Sequence, residues 1–178
     1  MALAPYRRFQ AALAVVLPFE GGYVDLPLDR GGPTDRGVTQ ATYDRCRMLQ
    51  GLQRRDVREM TPDELEAIYY LDYWRPPRCE ELPPPVGLAV FDCAVHSGVQ
   101  TAVRLLQEAA ETVVDGVFGP ITLSRVGLVP AHDLVRRCLG LRYSHWLRIV
   151  RAHPEQKVFL QGWVNRLRAL KAATDTFT

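Results

Sequence analysis

Phe9, Ala12, Leu13, Val16 and Leu17 recur at spacings of three and four, which predicts an amphipathic helix over residues 3–19. Residues 20–37 then carry Gly, Pro and Asp too densely for a long helix. They predict a loop or a short irregular hairpin. Thr39 is placed to cap a helix over 40–50 that stops before Gly51. Thr61-Pro62-Asp63-Glu64 combines an N-cap residue, a proline at the first helical position and acids in the first turn. The helix it opens runs to Trp74 and ends before Pro76-Pro77.

The most apolar stretch follows Pro83-Pro84-Pro85. Leu88, Phe91, Val95, Val99, Ala102, Leu106 and Ala109 share one helical face, and Ala89, Val90, Ala94 and Val103 make other faces apolar too. A helix apolar on most sides belongs at the centre of a domain, so a long buried central helix is expected here. Residues 115–120 read as a turn with a short helix after it. Two further helices are expected over 131–151 and 155–172, the last with Phe159, Trp163, Leu167 and Leu170 on one face. The fold class is therefore mainly α. There are no internal repeats. One candidate boundary, at residues 76–85, separates a lobe of residues 1–82 from a lobe of 83–178. The central helix is expected to serve both, giving one compact unit.

Composition narrows this little: 47% hydrophobic and 24% charged residues over 178 positions suit a folded chain with a substantial core. The net charge of +2 is uneven. Residues 59–92 hold eight acids and two bases, and residues 93–178 hold eleven bases and six acids. A basic C-terminal half suits attraction to an anionic polymer, and equally a solvated helix surface. No dense basic run interleaved with aromatics points to nucleic acid. Cys46, Cys79, Cys93 and Cys138 are widely spaced, form no metal-binding pattern and read as reduced core residues. No metal or organic cofactor is called for, and a monomer is expected. Arg7 and Arg8 before an apolar stretch faintly resemble a leader peptide, but Gln10 interrupts the stretch and no small-residue cleavage site follows. The amphipathic helix is the better reading, and no segment is long enough to span a membrane.

The candidate chemistry lies just after the first helix. Glu20 follows Leu17-Pro18-Phe19 and precedes Gly21-Gly22-Tyr23, so its sequence neighbours are apolar or glycine. Such surroundings can desolvate a carboxyl group and keep it protonated near neutral pH, as protonating a glycosidic oxygen requires. Cleaving a glycosidic bond usually takes a second carboxylate across the bond. Asp29 and Asp25 are both candidates, since Gly21, Gly22, Gly31 and Gly32 let the chain fold back. Thr34 adds a hydroxyl that can hold a water, or else satisfy nearby backbone. Tyr23 and Tyr73 are candidates to stack on sugar rings, while Trp74 reads as core. Asp92, on the apolar helix, must find a buried partner such as an arginine.

The run Glu20-Gly21-Gly22-Tyr23, Asp29, Gly31-Gly32-Pro33-Thr34 and Gly37-Val38-Thr39 resembles the signature of the glycoside hydrolase family 108 muramidases. Tyr69, Tyr73-Trp74, Phe91-Asp92 and Gly98 match the family's later pattern. Residues 115–122, Asp-Gly-Val-Phe-Gly-Pro-Ile-Thr, resemble its C-terminal peptidoglycan-binding segment, and Gly162-Trp163-Val164-Asn165-Arg166 also resembles the family's closing pattern. The resemblance implies a lysozyme-like helical fold, with Glu20 as the catalytic acid and bacterial peptidoglycan as the substrate. It implies cleavage of the β-1,4 bond between N-acetylmuramic acid and N-acetylglucosamine. Phage-type lysozymes also space Glu and Asp by eight residues and Asp and Thr by five. Glu20 and Asp29 keep the first spacing, whereas Asp29 and Thr34 are separated by four. His96 departs from the family, which has Asn there. The alternatives left open are a lytic transglycosylase, a chitinase and a non-catalytic peptidoglycan-binding or regulatory protein. A cell-wall enzyme without an evident leader is expected to be made in the cytoplasm and released to the periplasm or beyond by another route.

Overall fold

A computed structural model describes residues 5–25 and 32–178. Eight α-helices are present among them: α1 (Pro5–Val16), α2 (Gln40–Leu49), α3 (Pro62–Tyr69), α4 (Pro84–Ser97), α5 (Val99–Ala109), α6 (Pro120–Gly127), α7 (Ala131–Ala152) and α8 (Lys157–Thr176). A two-stranded antiparallel hairpin, β1 (Thr34–Asp35) and β2 (Val38–Thr39), lies between α1 and α2. The mainly α class is as the periodicity predicts, and the glycine-rich segment does contain a short hairpin.

The helix signals act as expected. Phe9, Ala12, Leu13 and Val16 of α1 are buried. Burying each of the larger three contributes roughly 1.5–3 kcal/mol before chain entropy is charged against it. Residues 17–19 tighten into a 3₁₀ turn with Pro18 in its first turn. Thr39 caps α2 by accepting a hydrogen bond from the Thr42 amide. Thr61 and Glu64 form a full capping box on α3. After Tyr69 the chain widens into a π turn, Tyr70–Trp74, before the prolines.

α4 is the centre of the molecule. Every residue from Val86 to Ala94 is buried, and the helix packs against α1, the π turn, α5, α7 and α8. The apolar pattern predicts one helix as far as Ala109, but the chain breaks at Gly98. There φ is +86°, a conformation glycine adopts without a Cβ penalty, and α5 starts afresh at Val99. The apolar spacing continues across the break because both helices bury one side in the same core. Cys79, Cys93 and Cys138 are buried, Cys46 is half-buried, and all four are free thiols. No helix among the described residues is long and apolar enough to cross a membrane.

Candidate active site

Glu20 sits where the 3₁₀ turn after α1 releases the chain. Its amide donates to the Leu17 carbonyl at 3.0 Å, and its backbone is extended. The side chain is 17% exposed. The chain then turns back. Val24 and Thr34 exchange two backbone hydrogen bonds of 2.8 and 2.9 Å, so the hairpin lies beside the segment that carries Glu20.

The hairpin tip is Arg36-Gly37, both with positive φ (46° and 75°), the pattern of a type I′ turn. Gly37 is pressed between two side chains. A Cβ there would lie 2.9 Å from Glu20 Oε2 and 2.6 Å from the Tyr69 hydroxyl. Tyr69, fully buried, donates its hydroxyl to the Arg36 carbonyl at 2.9 Å and so holds the tip down. Burial first, and then the charge of Glu20, push its phenol well above the usual range. Tyr73, on the π turn, lies against Tyr69 with ring centroids 5.6 Å apart, and its hydroxyl is raised by the same causes with Asp72 added.

The apolar surroundings expected of Glu20 from its sequence neighbours are not what it meets. Arg166 of α8 donates from Nη1 to Glu20 Oε1 at 2.8 Å. The same guanidinium donates from Nε to Asp92 Oδ1 at 2.9 Å and lies 5.1 Å from the centre of the Phe19 ring. Asp92 has no exposed surface and also pairs with the buried Arg142. Burial opposes the charge on Asp92, but Arg142 and Arg166 outweigh it and hold the carboxyl below its ordinary range. The buried partner that Asp92 requires is thus two arginines.

Beside Glu20 opens a groove of about 590 Å³, lined by Phe19, Glu20, His96, Trp163, Asn165 and Arg166 among others. That size suits a small-molecule or sugar site. His96 packs edge-on against Trp146 and Trp163 and shares a 3.0 Å hydrogen bond between Nδ1 and the Ser97 hydroxyl. Burial, followed by Arg142 and Arg166, pushes the imidazole down to about 4, so it is neutral at neutral pH.

The other predicted site residues lie as follows. Tyr23 is 42% exposed, carries the Arg58 guanidinium over its ring and donates to Asp25 at 3.3 Å. Asp25 is exposed. The Thr34 hydroxyl donates to the Gly32 carbonyl at 3.0 Å. Asp29 lies outside the described residues. Trp74 is buried core, as expected. The structure thus links Glu20 with Tyr73 through Tyr69, and groups Tyr23 with Asp25 on the exposed side. Among the described residues, no cluster of His, Cys, Asp and Glu is arranged to hold a metal ion.

Arg166, Trp163 and Asn165 were not singled out as site residues in the sequence. A signal for Arg166 was present: Trp163, Arg166 and Leu170 share one helical face, so a charge stands on a stripe that is otherwise apolar. Arg142 stands likewise between Cys138 and Trp146 on α7.

Comparison with known proteins gives the family. Residues 13–98 match the family described as Glycosyl hydrolase 108, and residues 101–168 match the Predicted Peptidoglycan domain. The solved structure of SagA from Brucella abortus is 32% identical and superposes with a TM-score of 0.80. The match covers 95% of this chain and 94% of that one. No curated protein matches the chain. Matched along its length by these two segments and by a solved structure 32% identical to it, the chain belongs to glycosyl hydrolase family 108 and is a glycosidase of bacterial peptidoglycan.

Proposed function

We propose that the protein is an N-acetylmuramidase, hydrolysing the β-1,4 bond between N-acetylmuramic acid and N-acetylglucosamine with Glu20 as general acid. The observation that supports this reading is that Glu20 lines the groove of about 590 Å³ together with aromatic residues and the amide residue Asn165. A glycan strand lying in the groove brings a glycosidic oxygen to Glu20. Proton transfer to that oxygen lets its bond to the anomeric carbon break as positive charge develops on the sugar ring, and water adds to that carbon, giving up its proton to the second carboxylate. Asp29 is our choice for the second carboxylate on its spacing from Glu20, with Asp25 as the alternative and Thr34 as an aid in holding water. Tyr23 and Tyr73 are proposed sugar contacts. Trp163 joins them because it lines the groove. Secretion or release to the cell wall follows from the substrate and is part of the proposal.

The test is Glu20→Gln, which keeps the size of the side chain and removes its titratable proton. Release of soluble fragments from purified peptidoglycan is expected to fall by about 10³-fold, within the range for loss of a general acid. Co-sedimentation with peptidoglycan and thermal stability are expected to stay close to wild type. Undiminished release by Glu20→Gln would remove Glu20 from the chemistry.

A further inference from the structure

Glu20 and Arg166 are separated by 146 positions and belong to the two different matched segments, yet their side chains meet. Arg166 is 8% exposed and Asp92 is fully buried. A guanidinium carries its donors in one rigid plane. One of its nitrogens is hydrogen-bonded to Asp92, Nε donating at 2.9 Å, and Nη2 lies 2.8 Å from the same oxygen as an ion-pair contact that does not make a hydrogen bond. That fixes the plane from which Nη1 reaches Glu20. Asp92 is itself held by Arg142, so the chain Glu20, Arg166, Asp92, Arg142 alternates in sign and ties the end of α1 to α8, α4 and α7.

We propose that Arg166, anchored on Asp92, is a positioning residue for Glu20, and that α8 is thereby part of the catalytic centre and not only of a glycan-binding segment. The inference rests on the reading of Glu20 as proton donor. A guanidinium can only donate, so Oε1 is kept as an acceptor. The proton that Glu20 passes to the leaving oxygen is then carried on Oε2, the oxygen beside Gly37. Without Arg166 the last torsion of Glu20 loses its hydrogen-bonded anchor, and such torsions are broad and roughly two-fold. The acid is then no longer held toward the bond.

The experiment measures kcat and KM for muropeptide release from purified sacculi by the full chain carrying Arg166→Met or Arg166→Lys, with Glu20→Gln alongside. Folding of each is checked by circular dichroism and thermal melting. Because misplacing a catalytic group by an ångström costs about 10²-fold, Arg166→Met is expected to lose about that much in kcat. KM and co-sedimentation with sacculi are expected to be little changed. Arg166→Lys, which keeps the charge and one donor direction but not the fork, is expected to recover part of the loss. It also stands as the folded variant if Arg166→Met does not fold. Wild-type kcat in a folded Arg166 variant, or a loss confined to KM, would overturn the inference while leaving the role of Glu20 intact. Full activity in Glu20→Gln would overturn both.

Discussion

Gly37 carries two demands at once. Its backbone has φ of +75°, and its missing Cβ is the space between Glu20 Oε2 and the Tyr69 hydroxyl. The Gly37→Ala substitution is therefore expected to cost stability, about 1 kcal/mol from the backbone alone, and to displace Glu20 as well. Thermal melting and fragment release should both fall, with release falling further than the unfolded fraction explains. Unchanged release would mean that the hairpin tip does not hold Glu20 in place. The glycine itself was legible as a letter of the family signature. Its reason was not, because Tyr69 comes from a helix 32 positions on. The same holds for Glu20: its apolar sequence neighbours suggested a dry pocket, and the guanidinium that it meets arrives from α8.

Caps and breaks fared differently from one another. The Thr61–Glu64 box could be read directly, because it is a local pattern. What spacing could not show is that Glu64 also binds the Tyr43 hydroxyl at 2.8 Å and pairs with Arg47 and Arg55, joining α3 to α2 and the loop between them. Burial works against its ionisation, but the Thr61 backbone, the hydroxyls and the arginine hold the carboxyl below its ordinary range. Glu64→Ala removes a cap and leaves two cations short of a partner, so a loss of about 2 kcal/mol or more is expected in urea unfolding. A loss under half that would reduce the network to a surface feature. The break at Gly98 was hidden by an apolar pattern that continues through it. The turn at residues 115–120 was legible as a turn, but its organiser, Gln107, was not. Gln107 is fully buried, donates to Asp115, the Val117 carbonyl and Thr122, and accepts from the Gly116 amide. The conformation of that turn is thus explained without a ligand.

Across the molecule, the buried charges set how the fold responds to acid. His96 is pushed down to about 4 by burial and the two arginines, and Asp92 is held below its ordinary range. In both cases the unfolded chain takes up its proton at a higher pH than the folded one. Both contributions are therefore complete at neutral pH and are lost on acidification: that of His96 as pH falls from its ordinary value of 6.5 toward about 4, that of Asp92 below 3.8. The urea midpoint is expected to fall through the first window, and His96→Asn is expected to flatten that part of the curve. An unaltered slope would mean that His96 is protonated while folded. The mainly α fold and the Glu20 segment were readable because helix periodicity and the signature are local. The groove was not, since His96 and Trp163 come from α4 and α8 and meet only after packing.

The most direct test of the account is mass spectrometry of fragments released from purified peptidoglycan in heavy-oxygen water by wild type and by Glu20→Gln. Hydrolysis as proposed yields reducing-end muramic acid that carries the label, and the variant yields almost none. Anhydro-muramic ends without label would make the protein a lytic transglycosylase, and labelled ends formed equally by Glu20→Gln would contradict the role given to Glu20.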